Sequence, residues 1–193
     1  TPPALPPPPT DPPTPTPTPS PNPWAVSAET PPPTTSSDAW NALDNVAAAA
    51  DQNRQLAVTT NKDAFRVGEA MTISLTVPVD GYLNILNFGQ GDGEVTVLFP
   101  NQFVSDNRVS PGMTISVPGE PPRFALRARL PDGTNEQNVL IVAVVTTEPL
   151  NGFTAGGGQA FLHTLKASSA RSFVAEAIEG DFYAGKIERV IRR

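Results

Sequence analysis

From Gln55 onward, apolar and polar residues recur with a period of two. In AMTISLTVPVD, Met71, Ile73, Leu75 and Val77 alternate with Thr72, Ser74 and Thr76, which predicts a strand with one wet face. Tyr82–Phe88 and Val95–Phe99 predict two more strands. MTISVP (Met113–Pro118), RFALRARL (Arg123–Leu130) and NVLIVAVVTTE (Asn138–Glu148) predict another three, and QLAVTT and AFRVGE supply short early ones. Within the last of the long runs, Val139–Val145 lacks polar alternation, so it is expected at the centre of a sheet with both faces covered. KIERVIRR predicts a final edge strand whose Arg192 and Arg193 are solvated. Turn signals (VDG, GQGDG, SPG, GEPP, PDGTN) recur about every ten residues, and no helical pattern separates the strands. The expected fold class is therefore mainly β, an antiparallel β-sandwich, Ig-like or barrel-like, with one or two flanking helices.

Two stretches carry the helical period instead. In SSDAWNALDNVAAAADQ (Ser36–Gln52), Ser36 or Ser37 can cap the first turn, Asp38 complements its positive end, and Trp40, Leu43, Val46, Ala47 and Ala50 form one apolar stripe. Such a stripe needs a partner surface, which predicts a helix docked on the domain; a helix at an interface is the other reading. ASSARSFVAEAIEG (Ala167–Gly180) has a Ser cap, a stripe of Ala170, Phe173, Val174, Ala177 and Ile178, and Gly180 as its stop, and is expected to cover the central strand.

Composition divides the chain. Of its 24 prolines, 16 lie between Pro2 and Pro33, and no Lys or Arg precedes Arg54. Proline rings fix φ and remove donors, so residues 1–35 are expected to be a polyproline stalk or linker, residues 36–53 the docking helix, and residues 54–193 the β-sandwich domain. At ~3.1 Å per residue, thirty such residues reach on the order of 90 Å. The Thr-Pro repeats resemble both bacterial envelope stalks and O-glycosylated linkers. A passive tether is the expectation, with a proline stretch lying along a partner as the alternative. A net charge of −6 argues against nucleic acid as a partner. There is no cysteine, hence no disulfide, thiolate metal site or cysteine nucleophile. No apolar run approaches the ~18–20 residues that span a bilayer, so no transmembrane segment is expected here. The first residue is Thr1, which leads us to expect an upstream segment such as a signal peptide.

Candidate chemistry is sparse. Gly89–Gly93 (GQGDG) lies between two strands, whereas a phosphate cradle leads into a helix and a nucleotide loop needs Gly-Lys-Ser/Thr. Calcium needs about six oxygen ligands, and this loop offers Asp92, Glu94 and Gln90. A hairpin turn is the better reading, with glycine supplying positive φ. His163 is the only histidine, which rules out multi-histidine metal chemistry, and no G-x-S-x-G elbow surrounds any serine. Acids fall in expected turns (Asp80, Asp92, Asp106, Asp132, Glu136) or on helix surfaces (Asp44, Asp51, Glu176), where solvation explains them; a hydrolase with a carboxylate pair is the remaining enzymatic reading. No cofactor is expected. The sharpest charge feature is Arg123, Arg127 and Arg129, alternating with Phe124, Leu126, Ala128 and Leu130 and joined by Arg108 from the preceding loop. These four are the candidate binding residues for an anionic glycan, a lipid headgroup or an acidic protein surface; a solvated sheet face with acidic cross-strand partners is the plainer alternative.

FRVGEAMTISLTVPVDGYLNILNFGQGDGEVTVLFPN, followed by DNRVSPGMTISVP and VAVVTTEPL, resembles the bacterial family known as domain of unknown function 4384, from Ala64 to about Leu150 and more weakly to the C-terminus. The resemblance implies a β domain appended to caspase-like peptidases, to serine/threonine kinases or to secreted and lipid-anchored envelope proteins, with no catalytic residues assigned. No caspase-like Cys/His dyad and no kinase motif occurs in this chain, and GQGDG stands where the family has a plain turn. The expected function is thus a non-enzymatic, extracytoplasmic cell-envelope protein. Its β domain binds another envelope protein or a surface polymer, as an accessory subunit anchored through a missing N-terminal segment. A regulatory or sensor domain of a larger kinase or caspase-like peptidase is the alternative.

Overall fold

The longest apolar run sits where its composition requires. In the computed structural model, which describes residues 36–150 and 163–193, β8 (Glu136–Thr146) lies between β4 (Gly81–Gly89) and β10 (Phe182–Arg192), antiparallel to both. The larger sheet runs β2 (Ala64–Arg66), β10, β8, β4, β5 (Glu94–Phe99) and β9 (His163–Lys166), with β6 (Arg108–Val109) added beside β4. A smaller sheet has the order β1 (Thr59–Thr60), β3 (Ile73–Thr76), β7 (Thr114–Val117). The fold is mainly β, as the alternation predicts. The proline-rich residues expected to form a spacer lie outside the described residues.

Each face of β8 has its own cover. Leu140, Val142 and Val144, with Leu86 and Phe88 of β4, pack against Ala39, Leu43 and Val46 of α1 (Ser36–Ala49) and Phe173 and Ala177 of α2 (Ala167–Ile178). The 3.6-residue stripe read from the sequence is the buried face of α1, with Trp40 partly buried beside Phe88 at a ring separation of 6.3 Å. On the other face, Val139, Ile141, Ala143 and Val145 share one apolar core with Ile73 and Leu75 of β3 and Val117 of β7. Fully burying an aliphatic or aromatic side chain of this kind stabilises by about 1.5–3 kcal/mol. Among the described residues no helix is long and apolar enough to cross a membrane.

Several expectations are corrected. The C-terminal strand is not an edge: β10 pairs along its whole length with β8 and, at its end, with β2. That second pairing is parallel, so the larger sheet is mixed rather than antiparallel. Among the described residues β2 and β9 end the sheet without pairing to each other, so no barrel closes. The N-cap of α2 is Lys166, not a serine, and has no side-chain cap bond.

Residues Arg123–Leu130 do not form a strand either. Their partner is a tight turn, Arg66–Glu69, with the two residues after it, which offers hydrogen bonds at Gly68, Glu69 and Met71 but no extended edge, leaving a single bridge between Ala70 and Arg127. The period-two burial survives all the same, with Ala128 buried and Phe124, Leu126 and Leu130 half-buried, while Arg123, Arg127 and Arg129 are exposed.

Candidate functional site

The segment that fails to become a strand forms the wall of a groove of about 600 Å³. Its floor is one end of the larger sheet: Asn87 of β4, Thr96 of β5, Gln137 and Val139 of β8. Side chains two apart on a strand share a face, so Asn87 continues the row of Leu83 and Ile85, and Gln137 the row of Val139 and Ile141. Asn87 and Thr96 are also directly opposite one another in the β4–β5 ladder. The core-facing rows of these strands thus turn polar together at this end.

The wall contributes Arg127 and Arg129. Arg127 is fixed by a 2.8 Å bond from its guanidinium to the carbonyl of Gly68 in the facing turn. That turn is tied by Glu69, whose carboxylate accepts 2.8 Å bonds from Lys62 Nζ and from the backbone N–H of Arg66. The Lys62 bond first, and the Arg66 amide second, hold the Glu69 carboxyl below its ordinary pKa. Arg129 has no hydrogen bond or ion pair among the described residues. The four candidate arginines do not act together. Arg108 lies over the ring of Tyr82, 5.7 Å from its centroid, and Arg123 donates a 3.2 Å bond to the carbonyl of Phe103; neither lines the groove.

The glycine-rich stretch closes the groove at one end. Gln90–Gly93 joins β4 to β5 as a hairpin, with Gly91 at φ +93°. Gln137 Nε2 donates to Asp92 Oδ1 at 2.8 Å and to the carbonyl of Gln90 at 3.1 Å, while Asn138 Nδ2 donates to Gln90 Oε1 at 3.1 Å. A Cβ on Gly89 would run into the Asp92 carboxylate and come within 2.6 Å of Gln137 Nε2, so only glycine lets this latch close. Asp92 and Gln137 also line a second groove, of about 790 Å³, whose other residues include Trp40, Glu136 and Asn138. There Glu136 is bonded to Arg192 at 2.7 Å. Among the described residues no cluster of three or more His, Asp or Glu side chains could hold a metal ion. His163 begins β9, opposite Val97.

The sequence pointed to Arg127 and Arg129 but missed the floor they face. Its signal was a polar residue at an inward position of an apolar row, as at Asn87, Thr96 and Gln137.

Residues 64–149 match the family model described as Domain of unknown function (DUF4384). The resemblance carried by GYLNILNF, VTVLFPN and VAVVTTEPL is thus shown over this span. The DUF4384 segment runs from β2 to just beyond β8 and contains the floor residues Asn87, Thr96, Gln137 and Val139 and the wall residues Arg127 and Arg129, whereas α1, α2, β9 and β10 lie outside it. No curated protein and no solved structure matches the chain.

Proposed function

We propose that this chain is a non-enzymatic binding module of an exported bacterial envelope protein. In this reading residues 54–193 are a β-sandwich, the proline-rich stretch sets its distance from an anchor, and the module serves as an accessory subunit docking an anionic partner at the cell surface. The observation that carries the reading is the groove, where Arg127 and Arg129 stand over the polar floor of Asn87, Thr96 and Gln137. Guanidinium groups recognise carboxylates and phosphates through paired, charge-assisted hydrogen bonds. Bond-breaking by a carboxylate pair finds less support: Asp92 is bonded to Gln137, and Glu136, in the neighbouring groove, is bonded to Arg192.

Fractionation of producing cells, and of isolated envelopes mixed with the purified 193-residue chain, tests this. The purified chain should sediment with washed envelopes, and Arg129→Glu should leave most of it in the supernatant without changing its thermal melt. Undiminished sedimentation of the variant would refute the docking role, and a cytoplasmic location in fractionated cells would refute the envelope assignment.

A further inference from the structure

The groove is chemically polarised, and that polarity narrows the ligand. One wall carries two positive charges, whereas the latch end carries the Asp92 carboxylate. A polyanion would meet repulsion at that end and from a chain of net charge −6. A ligand with one acidic group and several neutral hydroxyls suits both ends, because Asp92 can only accept hydrogen bonds and the arginines can only donate them.

The floor makes the same demand. Asn87 and Thr96 are half-buried and have no side-chain hydrogen-bond partner among the described residues, although both occupy core-facing rows. Amide and hydroxyl groups both donate and accept, as sugar hydroxyls do. Met71, Phe124 and Leu126 supply apolar surface for the C–H face of a ring. A volume of about 600 Å³ falls within the range of small-molecule sites.

Resting on the binding-module reading, we infer that this groove holds a uronic acid residue of a surface glycan. The carboxylate lies on Arg127 and Arg129, and the ring hydroxyls on Asn87, Thr96 and Asp92. Titration calorimetry on the full 193-residue chain tests the assignment with three probes: a trisaccharide with one galacturonate between two galactoses, the neutral galactose trisaccharide and a glycine tripeptide with a single central aspartate. The acidic sugar should bind saturably and at least about tenfold tighter than the neutral one, with Arg129→Gln weakening it about tenfold and Arg108→Gln leaving it unchanged.

Equal binding of the neutral sugar, or an Arg129→Gln variant that binds as well as the parent, overturns the assignment. Binding of the tripeptide alone, lost in Arg129→Gln, also overturns it but leaves the anionic docking role standing. If no probe binds the inference fails, and the envelope fractionation then decides separately whether the docking role fails with it.

Discussion

The two faces of the larger sheet are covered in different ways. On one, α1 and α2 lay 14 and 12 residues of helix across it; on the other, no strand of the smaller sheet exceeds four residues. At about 3.3 Å per residue a four-residue strand covers roughly 13 Å, against some 36 Å for the eleven residues of β8. The irregular segment around Arg127 reaches over the remaining end of the sheet and leaves a groove there. The helical face is thus spent on stability, while the strand-covered face keeps a polar end where stability has little to lose.

Adjacent residues of β4 give the sharpest way to break that contrast. Phe88→Ala, on the helical face and fully buried, should cost about 3–5 kcal/mol in urea unfolding. A loss under about 1 kcal/mol would mean that the helices do not form a packed layer. Gly89→Ala should cost about 1–3 kcal/mol by forcing the Asp92–Gln137 latch apart, and should weaken any groove ligand as well. Asn84 is a polar intruder on the helical face, fully buried, its Nδ2 without a hydrogen-bond partner among the described residues and its Oδ1 accepting no more than a long, 3.5 Å bond from Asn107 Nδ2. Asn84→Val should therefore raise stability, by about 1 kcal/mol. Asn87→Ala, one residue before Phe88 but facing the groove, should change stability by less than about 0.5 kcal/mol.

The smallest effect is on acid stability. The Glu69 carboxyl has a folded pKa below its ordinary value, so its contribution is complete above that ordinary value and is lost as pH falls through the lower, folded one. The difference between parent and Glu69→Gln should accordingly be largest near neutrality and vanish in strong acid. A difference that grows on acidification would show that the Lys62 pairing does not hold the turn.

Much of this fold was legible because burial on one face writes alternation into sequence. Met71, Ile73, Leu75 and Val77 announce β3, and the unbroken run Val139–Val145 announces the doubly covered β8. The last strand misled because Lys186, Glu188, Arg189 and Arg192 look like the residues of an exposed edge. In β10 they occupy the faces, where Lys186 meets Asp44 of α1, Arg189 bonds Thr60 at 2.5 Å and Arg192 pairs with Glu136, while both edges are bonded to neighbours. Arg123–Leu130 misled in the opposite sense: its alternation reports burial correctly, but a ladder needs an extended partner, and the partner is a turn. The arginine pair of the groove could be read locally. Its floor could not, because Asn87, Thr96 and Gln137 come together only through the register of three strands.

The interior position of β10 bears on how the chain is made. Synthesis runs from the N-terminus, yet β8 lacks a neighbour on one side until residues 182–192 have left the ribosome. Until then the nascent protein carries an apolar ribbon with an open hydrogen-bonding margin, the kind of surface that chaperones shield and that self-associates when they do not.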